Sequence, residues 1–229
     1  MCCQLKIQDL GKIAYELAFE QQLTLQNHVI DSRGDSPDPF HMLLLEHDPP
    51  VITVSKRPSA KEHLLATSQQ LKDAGVVVCE TNRGGDITYH GPGQLVGYLI
   101  VDLNVLSLRI DSYMRFLESV IIDTLAHYEI ESHRDDCATG VWVGESKICA
   151  MGVRVTRWVS MHGFALNVDP TMQHFDLIVP CGLVGRSVTS MRDILGDKCP
   201  SMSEIKGVVS DKFRGAICRQ AQVQQEPRS

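Results

Sequence analysis

Four short segments carry residues able to do chemistry. In "FDLIVPCGL", Cys181 stands between Pro180 and Gly182, directly after an apolar run. Proline fixes its own φ and lacks a donor, and glycine permits close backbone approach. The cysteine therefore reads as presented at a strand end, although a lone cysteine is more often a small buried hydrophobe. In "GESKICAMG", Lys147 sits where the chain leaves a tight turn for an apolar strand. The ordinary fate of such a lysine is solvation; one partly desolvated beside a reactive group can take a proton. In "RGGDITYHGPGQ", residues 83–94, four glycines and a proline suit a backbone passing close to a ligand, with Arg83, Tyr89, His90 and Gln94 as polar contacts. A glycine-rich hairpin turn accounts for the spacing equally well. No Gly-Lys-Ser/Thr follows, so this is not a phosphate loop of the Walker type. In "WVSMHGFALNV", His162 precedes Gly163, and taken alone it reads as a structural histidine. A thiol needs a neighbouring base or cation to become a thiolate at neutral pH. Lys147, His90 and His162 are the candidates. A metal held by Cys181, His90 and His162 would lack the local ligand pairing of zinc sites, so no metal is expected.

Composition narrows the classes. The formal net charge of -6 argues against nucleic acid as the main partner, because phosphate binding needs clustered positive charge. The longest apolar stretch, "VGYLIVDLNVL", is interrupted by Asp102 and Asn104 and falls short of a membrane span. The N-terminal stretch has no basic segment before an apolar one and is not rich in Arg and Ser, so a cytoplasmic location is expected, or a mature form already processed. Eight cysteines without a CxxC pair predict mostly buried thiols in a reducing compartment, not a disulfide scaffold.

The elements that must position these groups are legible in part. Residues 12–29 read as a helix with Ile13, Ala14, Leu17 and Ala18 on one face. "HMLLLEHDPPVITV" reads as strand, break, strand, and "VVVCE" as a strand. "SQQLKDAG" reads as a short helix, with a serine start and a glycine stop. "DITYHGPGQLVGYLIVDL" reads as two strands about the turn "HGPG". Residues 112–127 form the clearest helix, capped by Asp111, with Met114, Leu117, Ile121 and Leu125 repeating. "GVWVGESKICAMGVRV" is a hairpin, and "WVSMHGFALNVD" is a further strand. "SMSE" opens a last helix with Ile205, Val208, Val209 and Phe213 inward, and a polar tail runs from about residue 219. Helices mixed with adjacent strands favour one domain over residues 1–229, α/β (α+β) with a mixed sheet. No large apolar stripe is evident, so a monomer is expected.

Taken together and in this order, "RGGDITYHGPGQLVGYLIVDL", "SKICAMGVRV", "HGFALNV" and "FDLIVPCGL" resemble the lipoyl(octanoyl) transferases of protein lipoylation. The resemblance implies a biotin/lipoate protein ligase type of catalytic domain, with a mixed central β-sheet flanked by helices. It implies an acyltransferase without a cofactor. The donor would be octanoyl-acyl carrier protein. The acceptors would be apo lipoyl domains of 2-oxoacid dehydrogenase E2 subunits and the glycine cleavage H protein. Cys181 would form the acyl-enzyme thioester and Lys147 would activate it. Arg83, Gly84, Gly85, Asp86, Ile87, Thr88, Tyr89 and His90 would line the acyl pocket. Ala150, Met151 and Gly152, with Gly163, Phe164 and Ala165, would complete it, His162 supporting. Leu166 is a further apolar candidate for the slot, and Arg154, Arg157 and Arg186 are candidates to meet acidic partner faces. Two other readings stand beside this one. An ATP-dependent lipoate or biotin ligase would need phosphate-binding groups and would not need Cys181. A non-catalytic acyl-binding protein would need neither Cys181 nor Lys147.

Overall fold

Three long strands lie side by side, β2 (Phe40–His47), β6 (Gln94–Val101) and β10 (Val159–Asn167), buried at every position except Glu46. The computed structural model describes residues 5–34, 40–136, 138–179 and 186–223. Cys181 and its neighbours Pro180 and Gly182 lie outside the described residues, as do Cys2, Cys3 and Cys137. The large sheet runs β1-β2-β6-β10-β9-β8-β7, where β1 is Lys6–Ile13, β7 is His133–Arg134, β8 is Val141–Val143 and β9 is Ser146–Thr156. Strand β11 (Ser187–Val188) adds to β9 in parallel. β1 is parallel to β2, whereas β2, β6, β10, β9, β8 and β7 pair antiparallel in turn. A second sheet has the order β4-β3-β5, formed by Val77–Glu80, Val51–Val54 and Ile87–His90.

The fold is therefore the expected mixed-sheet α/β domain, with several differences in detail. The strands flanking "HGPG" are not a hairpin: β5 pairs with β3 in the small sheet, while β6 enters the large one. The glycine-rich turn joins two sheets. The first helix, α1 (Tyr15–Asp31), starts three residues after the expected point because β1 occupies the preceding segment. Its buried face is Tyr15, Ala18, Gln22, Gln26 and Val29, while Leu17 is exposed. Both glutamines bond β10, although Gln22 Nε2 is buried without a hydrogen-bond partner among the described residues. Gln26 Nε2 donates to the Val159 carbonyl at 2.9 Å, and Gln22 Oε1 accepts the His162 N–H at 2.8 Å. α2 (Ser68–Asp73) is capped by Thr67 rather than Ser68.

α3 (Ile110–Ala126) begins after Arg109, so Asp111 lies inside its first turn, near the positive end of the helix dipole, and is not the cap. α4 is the short helix Met191–Leu195. α5 (Met202–Val223) opens on the expected capping pair, Ser201 and Glu204, and continues into the segment expected to be a loose tail. α3 and α5 cover one face of the large sheet through Leu117, Ile121, Val209 and Phe213 against Leu99 and Leu166. α1 covers the other face, against Leu43, Val96 and Ile100. Among the described cysteines, Cys149 is a buried thiol, Cys79 and Cys199 are partly buried thiols, and Cys218 is disulfide-bonded. No helix of the described residues is long and apolar enough to cross a membrane.

Candidate active site

A cavity of about 560 Å³ opens where the two sheets meet. Its walls come from the 83–90 segment, from β9 and β10, and from the start of α3 through Ile110 and Met114. Among the expected residues, Arg83, Gly84, Gly85, Asp86, Thr88, His90, Lys147, Ala150, Met151, Gly152, His162, Gly163, Phe164 and Ala165 line it. Ile87 and Tyr89 do not. Strand alternation turns them to the opposite face of the small sheet, where they pack with Phe175 and Ile178. Leu166 is likewise taken up by the core beneath α3 and α5. Tyr15, Arg57, Tyr98, Thr139 and Val153 line the cavity although nothing in their spacing marked them.

One end of the cavity is built around Lys147. Its side chain is buried, with Nζ donating to the Thr139 carbonyl at 3.0 Å and lying 4.9 Å from the centre of the Trp142 ring. Trp142 is held by its own N–H to the Ala138 carbonyl at 3.1 Å. Gly140 is required here. Its φ is +131°, and a Cβ would lie 2.6 Å from the Cys149 carbonyl oxygen and 3.2 Å from Lys147 Cε.

The flanks of the cysteine-bearing segment are both tied to this cavity. Before it, Val179 N–H donates to the His63 carbonyl at 2.8 Å, and the His63 ring bonds Asp86 Oδ1 at 2.8 Å. After it, Ser187 and Val188 pair with Ser146 and Lys147, and Thr189 N–H donates to the Lys147 carbonyl at 3.0 Å. Arg186 lies over the Trp142 ring, 4.2 Å from its centre, and pairs with Asp135. Its charge is thus spent internally. Arg154 and Arg157 are exposed.

The other end is a floor of rings. His47 lies 5.4 Å from Tyr15, 5.6 Å from His90 and 6.0 Å from Tyr98, and Tyr98 lies 5.9 Å from His162, centre to centre. A carbonyl can only accept, so His47 Nδ1–H donates to Ile13 at 3.2 Å and Nε2 accepts the Tyr98 hydroxyl at 2.7 Å. His90 donates from Nδ1 to Gln94 Oε1 at 2.8 Å, and Gln94 in turn donates to Asn167 at 2.9 Å. His162 Nε2 bonds Asn82 Oδ1 at 2.9 Å. Burial holds these imidazoles neutral. It lowers His47 to about 4 and His162 to about 3, with Arg83 and Arg154 adding repulsion at His162. His90 is pushed well below the ordinary histidine range, first by burial and then by His47 and Arg83. Tyr98 is raised by burial and keeps its proton.

Arg83 braces the wall. It donates to the Gly84 carbonyl at 3.0 Å and to Thr53 Oγ1 at 3.0 Å, and Gly84 N–H donates to the Val153 carbonyl at 3.0 Å. That contact brings two glycines together, since a Cβ on Gly152 would stand 2.8 Å from the Gly84 oxygen. Among the described residues no group of histidine, cysteine or carboxylate side chains is arranged to hold a metal.

Residues 14–214 match the family model described as lipoyl protein ligase A/B catalytic domain. The chain is 50% identical over 190 residues to an octanoyltransferase of Solibacter usitatus, covering 83% of this chain and 82% of that protein. It is 43% identical over 218 residues to an octanoyltransferase of Flavobacterium johnsoniae, covering 90% and 93%. Among solved structures it resembles the bipartite lipoate protein ligase of Thermoplasma acidophilum, with a TM-score of 0.70 at 15% identity, over 93% of this chain and 84% of that one. That last likeness speaks for the fold alone.

Proposed function

This chain belongs to the lipoyl protein ligase A/B catalytic-domain family, and we infer that it is an octanoyltransferase of protein lipoylation. The donor we propose is octanoyl-acyl carrier protein. The acceptors are the target lysines of apo lipoyl domains, those of 2-oxoacid dehydrogenase E2 subunits and the glycine cleavage H protein, and the chain acts as a monomer. Cys181 attacks the donor thioester, the bond from acyl carbon to carrier sulfur breaks, and the carrier leaves as its thiol. The acceptor amine then attacks the Cys181 thioester, an amide forms and the Cys181 thiol is restored. Lys147 takes the Cys181 proton in the first half and returns it to the departing carrier sulfur. In the second half it takes a proton from the amine and passes it to the departing Cys181 sulfur. Thioester exchange is nearly balanced and amide formation runs downhill, so no ATP is consumed.

The observation that carries this reading is the pairing of Ser187–Val188 with Ser146–Lys147. It ties the described end of the cysteine-bearing segment to a buried lysine amine. The cavity suits the acyl chain. Met151, Phe164, Ala150 and Ala165 offer apolar wall, and each buried CH₂ contributes about 0.8 kcal/mol. The test is transfer from octanoyl-acyl carrier protein to an isolated lipoyl domain without ATP, followed by intact mass. The acceptor is expected to gain one octanoyl group. Transfer that requires free octanoate and ATP would instead make the chain a ligase.

A further inference from the structure

Glu118 is a charged side chain in the middle of α3 with only 1% of its side-chain surface exposed. A buried carboxylate is costly unless its oxygens are satisfied. Oε2 is matched by Arg115 at 2.8 Å and Arg134 at 3.2 Å. Oε1 is used differently: it accepts the Gly140 N–H at 3.1 Å. The same peptide unit presents the Thr139 carbonyl on its opposite edge, and that carbonyl accepts Lys147 Nζ at 3.0 Å. One peptide group is thus clamped between a buried carboxylate and a buried lysine amine. Gly140 alone fits there, because any Cβ would meet the Cys149 oxygen at 2.6 Å.

We propose that Glu118 is a positioning residue for the acyl transfer: by holding the Gly140 N–H it aims the Thr139 carbonyl that fixes Lys147. A hydrogen bond to a carboxylate also polarises the peptide and makes its carbonyl a better acceptor. The two arginines neutralise the carboxylate, so its effect on Lys147 is exerted through the peptide. This rests on the reading of Lys147 and Cys181 as the reacting pair.

The test is single-turnover formation of the octanoyl thioester on the full-length protein, with octanoyl-acyl carrier protein over a range of concentrations. Glu118→Asp keeps the charge for the arginines but withdraws the carboxylate from Gly140 by one methylene. It is expected to lower the maximal rate about tenfold and leave the half-saturating carrier concentration unchanged. Glu118→Gln keeps an acceptor oxygen for Gly140 and is expected to recover most of the rate. Arg115→Ala removes an ion pair on the other oxygen and is expected to match wild type. A wild-type rate in Glu118→Asp, a glutamine variant as slow as the aspartate one, an equal loss in Arg115→Ala, or a loss confined to half-saturation would each overturn the proposal. Amide exchange at Gly140 in the unmutated protein gives an independent reading: protection supports the clamp, and fast exchange overturns it whether or not a variant folds. Failure of the underlying reading looks different. Wild type would then form no thioester, or Cys181→Ser would form one too.

Discussion

The two ends of the cavity handle charge in opposite ways. At the Lys147 end, charged and proton-carrying groups are kept under burial, because each meets a partner: Lys147 the Thr139 carbonyl and the Trp142 ring, Glu118 two arginines, Arg186 Asp135. At the ring floor, charge is excluded. His47, His90, Tyr98 and His162 bond one another or amides and carbonyls, and burial holds them neutral. Proton transfer needs the first environment, and an alkyl chain tolerates only the second. Neighbouring strands supply both, Lys147 from β9 and His162 from β10. The difference therefore lies in side-chain partners rather than in the fold.

The sharpest way to break this comparison is Lys147→Met, which keeps the bulk and removes the amine. Acyl-enzyme formation is expected to fall roughly a hundredfold or more, with the melting temperature little changed. A loss under threefold in stopped-flow or quench assays would remove Lys147 from the chemistry.

The floor is exposed by acid. His47 and His162 titrate near 4 and near 3 when folded, below the unfolded value of about 6.5. The unfolded chain therefore binds more protons in that window. Stability is full above about pH 6.5 and is lost on the order of a few kcal/mol as pH falls toward 4. Urea unfolding at pH 7 and pH 5 should show the drop, and His47→Gln should flatten it. A pH-independent midpoint would contradict a neutral floor.

Between the two ends, Gly163 sits where a Cβ would meet the Gly97 oxygen at 2.3 Å. Gly163→Ala is expected to cost about 1–3 kcal/mol in urea titrations, with slower transfer. A fully stable variant would show that the strands there can spread. Thr67→Ala, at the cap of α2, is expected to cost about 1 kcal/mol and leave the transfer rate untouched. A rate loss there would mean the site is coupled to the small helix.

What was legible in the sequence follows from this division. Lys147, Gly152, Gly163 and the 83–90 segment stand out because glycines beside polar groups disturb an apolar pattern. The central strands stand out because each carries a run of large apolar residues, such as Met42–Leu45 and Leu99–Val101. β1 does not, because it is an edge strand with half its side chains in solvent, and "KIQDLGKI" reads as no pattern at all. Gln22 and Gln26 look like a solvent face until β10 is seen to bond them. Ile87 and Tyr89 were grouped with the pocket because a motif is contiguous, whereas a strand sends alternate side chains to opposite faces. Glu118 gave no signal, because a glutamate in a helix is ordinary and only tertiary packing buries it.

The central claim is that this cavity serves a covalent acyl-enzyme, and intact mass reads it directly. Wild type and Cys181→Ser would be mixed with octanoyl-acyl carrier protein without ATP and compared. The account predicts a gain of one octanoyl group in wild type, removed by hydroxylamine and absent from the serine variant. No adduct on folded wild type, or an equal adduct on both, would contradict it.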